Sequence, residues 1–269
     1  MLSIIIPSRN ERFLYRTIQD LLENAEGDIE IIPVFDGADQ ETSVPDDPRV
    51  KPLILQDRRG MRGAINAGVE VARGEYIMKL DAHCMVDQGF DVKLIAEHQP
   101  NWVQVPRRKR LDAENWCIQE LGKIDVDYEY ITNPREGDMH GNKWDDKARE
   151  RADVLIDDLM TFQGSCWFMT KAYFYELELM DEELYGQFYN EAQEISFKAW
   201  LSGGECKVNK KTWYAHLHKG KIYGKGYAMG QGQRPIASKA MMLWTEDKAW
   251  HKQTKPFRWL VDHFNPPTW

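Results

Sequence analysis

The stretch from Arg58 to Cys84 constrains this chain most. Arg58-Arg59-Gly60-Met61-Arg62-Gly63-Ala64-Ile65-Asn66-Ala67-Gly68 reads as a glycine-rich loop entering a helix of small residues, Arg62 to Ala72. Glu75 to Leu80 follows as a short apolar strand, and Asp81-Ala82-His83 stands where it ends. Upstream, Leu2 to Ile6 is a buried strand stopped by Pro7. Phe13 to Glu23 carries Phe13, Leu14, Ile18, Leu21 and Leu22 in the 3.6-residue rhythm of a helix. Ile29 to Phe35 is a second strand, ending at Asp36-Gly37, and Leu53 to Leu55 a third. Strand, helix, strand, helix, strand in that order predicts a parallel sheet with right-handed crossovers. Ligands of such sheets sit at the carboxyl ends of the strands, which gathers Asn10, Asp36, Arg59 and Asp81 at one edge.

Composition narrows the options. The 269 residues are 42% hydrophobic with a net charge of −8, an ordinary folding chain. The acidity argues against wholesale nucleic-acid binding while leaving room for a local basic groove. Cys84, Cys117, Cys166 and Cys206 are widely spaced with no CxxC pair, so a thiolate zinc site is not expected and reduced thiols in a cytoplasmic protein are. Met1 to Pro7 reads as a strand rather than a signal peptide, and no apolar run reaches bilayer length, so no stable membrane insertion is expected.

Downstream, the pattern predicts a helix over Phe90 to Glu97 and a strand over Trp102 to Pro106. The first part of Asn133 to Asp153 reads as a mobile loop, and Asp145 to Asp153 as a solvated helix. Further helices are predicted over Lys171 to Leu179, Glu191 to Leu201 and around Ile236 to Trp250, with a late strand within Cys206 to His216. No linker divides the chain. The expectation is one domain, residues 1–219, with a nucleotide-binding half (1–100) and an acceptor and metal half (101–219), followed by an extension, 220–269. Within that extension Tyr223 to Gln233 holds four glycines, and such a segment can close over a bound donor and exclude water.

Asp81 and His83 offer an oxygen and a nitrogen to one divalent cation, provided the chain turns at Ala82. His216, in Tyr214-Ala215-His216-Leu217-His218, is the candidate third ligand. Three protein ligands leave positions for two phosphate oxygens, and the cation would neutralise charge building on a departing diphosphate. Carboxylate with imidazole suits Mn2+ better than Mg2+, which prefers oxygen alone. Pro7, Ser8, Arg9 and Glu11 follow the first strand, and Asp36 can accept hydrogen bonds from a base imide or a ribose hydroxyl. Arg59 or Arg62 can offset phosphate charge beside the glycines. Glu191 and Glu194, three apart at a helix start, are candidates to meet sugar or acceptor hydroxyls. Gly164-Ser165 would let a sugar lie against the backbone, with Trp167 packed beneath it.

Taken jointly, Ile4 to Glu11, Phe35-Asp36-Gly37, Arg59 to Gly68, Gly74 to Cys84, Phe162-Gln163-Gly164-Ser165, Asn190 to Trp200 and Ala215-His216 resemble a GT-A glycosyltransferase. The resemblance is to the family 2 and polypeptide N-acetylgalactosaminyltransferase kind, in order over residues 2 to 219. It implies an α/β, Rossmann-like domain with a mostly parallel central sheet flanked by helices, and a UDP-sugar as donor. Carried across, Asp81, His83 and His216 hold manganese, while the first-strand loop and Asp36 hold uridine. From the residues themselves, Arg59, Arg62, Ala82, Gly164 and Ser165 are further candidates to meet the donor. The Asp-x-His form resembles the retaining branch; the ordinary inverting mode would make Glu191 the general base.

The chain departs from that pattern in places. The family's Trp-Gly-Gly-Glu-Asn segment appears as Phe188-Tyr189-Asn190-Glu191-Ala192, and its anchor, stem and lectin domain have no counterpart in these residues. The missing lectin domain argues against a glycoprotein acceptor, and the acceptor expected is a hydroxymethylated DNA base, a glycan or a lipid-linked sugar. Arg107-Arg108-Lys109-Arg110, read as a loop, and Lys219, Lys221 and Lys225 would grip a polyanion, with Trp116 or Tyr223 stacking on a flipped base. The alternatives are a catalytically silent module that binds nucleic acid or glycan, and a nucleotidyltransferase, for which Pro7-Ser8-Arg9-Asn10-Glu11 is a poor phosphate loop.

Overall fold

β1 (Leu2–Ser8) is apolar on both faces because both are covered, and it is the hinge of the architecture. It pairs in parallel with β2 (Ile29–Asp36) on one side and β4 (Tyr76–Leu80) on the other, and β3 (Leu53–Leu55) extends the sheet beyond β2. The crossovers are α1 (Leu14–Asn24) and α2 (Gly60–Val71). α2 lies close on the sheet because its contact residues are small: a Cβ at Gly68 would stand 2.6 Å from Ile5 Cγ2. The computed structural model describes residues 1–37, 43–119, 122, 125–134, 139–223 and 233–269.

The second half is built onto the free side of β4. β11 (Cys166–Thr170) runs antiparallel to β4, and β6 (Trp102–Asp112) antiparallel to β11. β12 (Glu205–His216) returns parallel to β6, and β10 (Ile156–Asp158) closes the edge, giving the order β10-β12-β6-β11-β4-β1-β2-β3. Four of the seven neighbouring pairs are parallel. β5 (Cys84–Val86) pairs with β12, while β8 (Glu129–Ile131) and β9 (Gly141–Lys143) form a separate small sheet. α7 (Glu191–Leu201) is buried along its whole length. α9 (Gln233–Thr245) and α10 (Phe257–Phe264) contribute Trp244, Phe257 and Leu260 to the main core, with the Trp244 indole donating to the Tyr185 hydroxyl. Among the described residues no helix is long and apolar enough to cross a membrane.

Two local expectations are corrected. Arg107-Arg108-Lys109-Arg110 is no loop: β6 continues to Asp112 because β12 pairs with it as far as His216 opposite Arg110, across an irregularity between Asn209 and Trp213. The stretch from Asn133 to Asp153 is in part strand β9 followed by a short helix, α4 (Asp145–Glu150), while residues 135–138 lie outside the described part. Most of the segment expected to close over the donor, residues 224–232, also lies outside it.

Candidate active site

Three side chains distant in sequence meet where β4 ends. The chain bends after Leu80, turning Asp81 and His83 toward one point. The antiparallel pairing of β12 with β5 sets His216 opposite Cys84, one residue from His83. His216 Nε2 lies 3.2 Å from Asp81 Oδ2 and 3.1 Å from His83 Nε2, and His83 Nε2 is 3.8 Å from Asp81 Oδ2. One ligand atom from each falls within 4.8 Å of the others. Two imidazole nitrogens facing each other beside a carboxylate oxygen form a donor set that a divalent cation satisfies.

Electrostatics prepares these atoms. Burial would raise the Asp81 carboxyl, but the Lys79 ammonium and His216 overcome it and hold it far below the carboxylate range. Burial pushes His216 down to about 4, against the pull of Asp81, so its imidazole is neutral at physiological pH with a lone pair to give. His83 Nδ1 stands 3.3 Å from Glu11 Oε2, and Lys219 holds both Glu11 oxygens at 2.7 Å. Burial opposes ionisation of Glu11, yet His83 and Lys219 keep its carboxyl below the usual range. Glu11 thus stands where it can orient the His83 imidazole.

Lys79, which the sequence patterns passed over, is the hub of the site. It shares a strand face with Asp81 two residues on. Its ammonium donates to Asp81 Oδ1 at 2.7 Å and to the Gly164 carbonyl at 2.5 Å, and stands 3.4 Å from Glu191 Oε2. Glu191 opens α7 and receives the Trp167 indole N–H on Oε1 at 2.7 Å. Burial raises the Glu191 carboxyl, with Lys79 and Trp167 pulling it back. Trp167 is fully buried and steadies Glu191 from the core instead of flooring the cleft. The available signal was a lysine inside an apolar strand, two residues before Asp81: a buried ammonium needs a partner.

All this borders one cleft of about 810 Å3, in the usual range for a small-molecule site. Of the residues singled out in the sequence, Pro7, Ser8, Arg9, Glu11, Asp36, Asp81, Ala82, His83, Gly164, Glu191 and His216 line it. At its β1–β2 end Asp36 accepts the backbone N–H of Arg59 at 2.6 Å and of Gly60 at 3.0 Å, tying β2 to the start of α2, while Arg9 donates to the Asp36 carbonyl.

Four expected residues do not line the cleft. Arg59 contributes its backbone N–H to Asp36, and the neighbouring Arg58 borders the space. Arg62 is fully buried, ion-paired with Glu194, bonded to the Tyr189 carbonyl at 2.6 Å and stacked over the Tyr185 ring. Glu194 is equally buried, closing on Arg62 and on Lys198 at 2.8 Å. Helix geometry explains the split, since residues three apart sit about 60° apart around the axis, enough to send Glu191 to the cleft and Glu194 to the core. Ser165 turns its hydroxyl inward to the Tyr214 hydroxyl, 2.7 Å away, and to Gln163.

Of the basic residues expected to grip a polyanion, Arg110 does not border the cleft, and Arg107, Arg108, Lys109 and Lys219 are committed elsewhere. Arg107 forms two bonds to Asp127 at 2.8 Å, Arg108 bonds Glu129 at 2.9 Å, and Lys109 faces Asp125 at 3.6 Å. Lys219 serves Glu11. The Lys221 side chain and Lys225 lie outside the described residues. Trp116 and Tyr223 pack in a small apolar cluster with Phe13, away from the cleft lining.

Comparison with known proteins bears on both family and fold. The model of glycosyl transferase family 2 matches residues 3–178. Mouse polypeptide N-acetylgalactosaminyltransferase 12 is 24% identical over 98% of this chain and 46% of its own length; mouse polypeptide N-acetylgalactosaminyltransferase 3 is 26% identical over 81% and 37%. The chain thus spans under half the length of these curated relatives. Among solved structures, GalNAc-T7 with UDP, GalNAc and Mn2+ superposes with a TM-score of 0.75 at 18% identity, over 98% of this chain and 56% of the other. S. aureus TarS 1-349 gives 0.52 at 14% identity, over 80% and 60%. The expected α/β GT-A fold is borne out, and the chain belongs to glycosyl transferase family 2.

Proposed function

We propose that this protein is a metal-dependent glycosyltransferase that moves a sugar from a UDP-sugar to a hydroxyl acceptor with retention of configuration. The observation that carries this reading is the convergence of Asp81, His83 and His216 in the same cleft as the Lys79–Glu191 pair. Family membership supports the reaction class. The UDP and Mn2+ of the GalNAc-T7 structure support the donor and the metal. Manganese fits the donor set better than magnesium.

When bound, the cation supplies Lewis-acid stabilisation to the departing diphosphate. The chain's own residues do the rest. The segment from Pro7 to Glu11 and Asp36 hold the nucleoside end, and Glu11 stands against His83 Nδ1, where it can orient the ring. Lys79 sets Asp81 with one oxygen toward the imidazoles and fixes Glu191 beside Gly164, where a Cβ would meet Glu191 Oε2 at 2.6 Å. Retention is favoured because Glu191, the base an inverting route requires, has one oxygen taken by Trp167 and the other beside an ammonium. Of the acceptors expected, hydroxymethylated DNA loses support from the pairing of Arg107, Arg108 and Lys109, which leaves a glycan ahead. A cytoplasmic setting accords with the four unpaired cysteines.

The test is UDP release from a panel of UDP-sugars with manganese, wild type against Asp81→Asn, with the anomeric configuration of any product read by NMR. Metal-independent release, or equal release by Asp81→Asn, would sink the proposal; an inverted product would remove retention alone.

A further inference from the structure

The cleft crosses the sheet. Its nucleoside end lies at β1 and β2, its metal-ligand cluster at the end of β4, and it continues past β11 to the β8–β9 sheet beside β6. β2 and β6 are four strand spacings apart, about 19 Å at the usual separation between strands. A group bordering the cleft at the β6 end therefore stands on the far side of the metal cluster from the nucleoside, where sugar and acceptor meet.

Glu129, the first residue of β8, occupies that end. Its side chain is only 9% exposed, yet it borders the cleft together with Gly141 and Phe162. Oε1 accepts from Arg108 at 2.9 Å, and among the described residues no other group donates to this carboxylate. The backbone opposite is cut to fit it: a Cβ at Gly141 would lie 2.6 Å from Oε2. Gln163 and Gln193, both bordering the cleft, add neutral amides. Arg108 is neutralised by Glu129 itself, Arg107 and Lys109 by Asp127 and Asp125, and Arg110 does not border the cleft.

We propose that Glu129 binds the acceptor, its Oε2 taking a hydrogen bond from a hydroxyl of a neutral, polyhydroxylated molecule, a glycan. This rests on the transferase reading above. Burial pushes the Glu129 carboxyl up, and Arg108 and Lys143 oppose that push; ionised beside Arg108, the carboxylate only accepts hydrogen bonds, favours a ligand made of hydroxyl donors and repels a phosphate. The amides of Gln163 and Gln193 can both donate and accept, which suits the same chemistry.

The experiment offers manganese, UDP-glucose, UDP-galactose, UDP-GlcNAc and UDP-GalNAc with two acceptor sets. One set is methyl glycosides and trisaccharides of glucose, galactose and GlcNAc. The other is an oligonucleotide carrying 5-hydroxymethylcytosine. Products are read by mass, and donor hydrolysis is followed without acceptor. The expected result is transfer to a saccharide. Glu129→Gln should raise the KM of that saccharide about tenfold or more, with donor KM and acceptor-free hydrolysis unchanged. Gly141→Ala, which crowds the same carboxylate, should act in the same direction, and melting curves verify that both variants fold. Transfer to the oligonucleotide alone, hydrolysis with no transfer to any saccharide, an unchanged saccharide KM in Glu129→Gln, or a rise in donor KM instead would each overturn the inference. Absence of hydrolysis with every donor would instead remove the transferase reading beneath it.

Discussion

Glu191 and Glu194 stand three residues apart on the first turn of one helix and have opposite fates. Glu191 looks into the cleft, its burial relieved by an indole N–H and a lysine beside Asp81. Glu194 looks into the core, fully enclosed between Arg62 and Lys198 and accepting the Asp181 N–H. Both are buried carboxylates with cationic partners. What separates them is the opposite wall: a space large enough for a ligand in one case, packed helices in the other. Burial and pairing alone do not mark a functional charge.

The comparison can be tested on both sides. The largest effect should come from the cleft. Asp81→Asn removes the anionic ligand at nearly constant volume and should lower manganese-dependent turnover on the order of a thousandfold, measured as UDP release, with the melting profile little changed. On the core side, Glu194→Ala strands Arg62 and Lys198 without a counter-charge. It should cost about 3–5 kcal/mol in denaturant unfolding. Glu191→Gln should do the reverse, losing turnover with a smaller loss of stability; equal stability losses at the two positions would erase the distinction.

Glu11→Gln, which weakens the partner of His83, should reduce manganese affinity about tenfold, read by titration calorimetry. The pH response of the metal-free protein should carry the signature of His216. Its folded value of about 4 lies below the ordinary 6.5, so the unfolded chain takes up the proton first as pH falls. Its stability contribution is complete above about 6.5 and drains away toward 4, and His216→Gln should flatten that part of a Tm–pH curve. The smallest effect is expected at Arg258, whose exposed i,i+4 pair with Asp262 should contribute under about 0.5 kcal/mol when tested by Arg258→Ala.

The first hundred residues were the more legible. Each of their strands and crossovers announces itself locally, so β1, α1, β2, β3, α2 and β4 lie within one or two residues of their expected bounds. The residues after them misled where pairing is long-range. Arg107 to Arg110 look like a loop because four charges in a row break any alternation, yet they pair with β12 a hundred residues away. Glu129 carries no motif at all. It matters only because β8 folds against the cleft and Arg108 meets it there.

The chain by itself determined the class of fold, the strand edge where chemistry gathers and the three metal-seeking side chains, because periodicity and residue chemistry are local properties. Only the folded molecule decided which charges face the cleft and which are sealed. That choice rests on a rotation of some tens of degrees about a helix axis and on pairings between distant strands. Lys79 borders the cleft, Arg62 and Glu194 do not, and Arg107, Arg108 and Lys109 are paired, because burying an ion demands a partner, and the partners come from elsewhere in the chain.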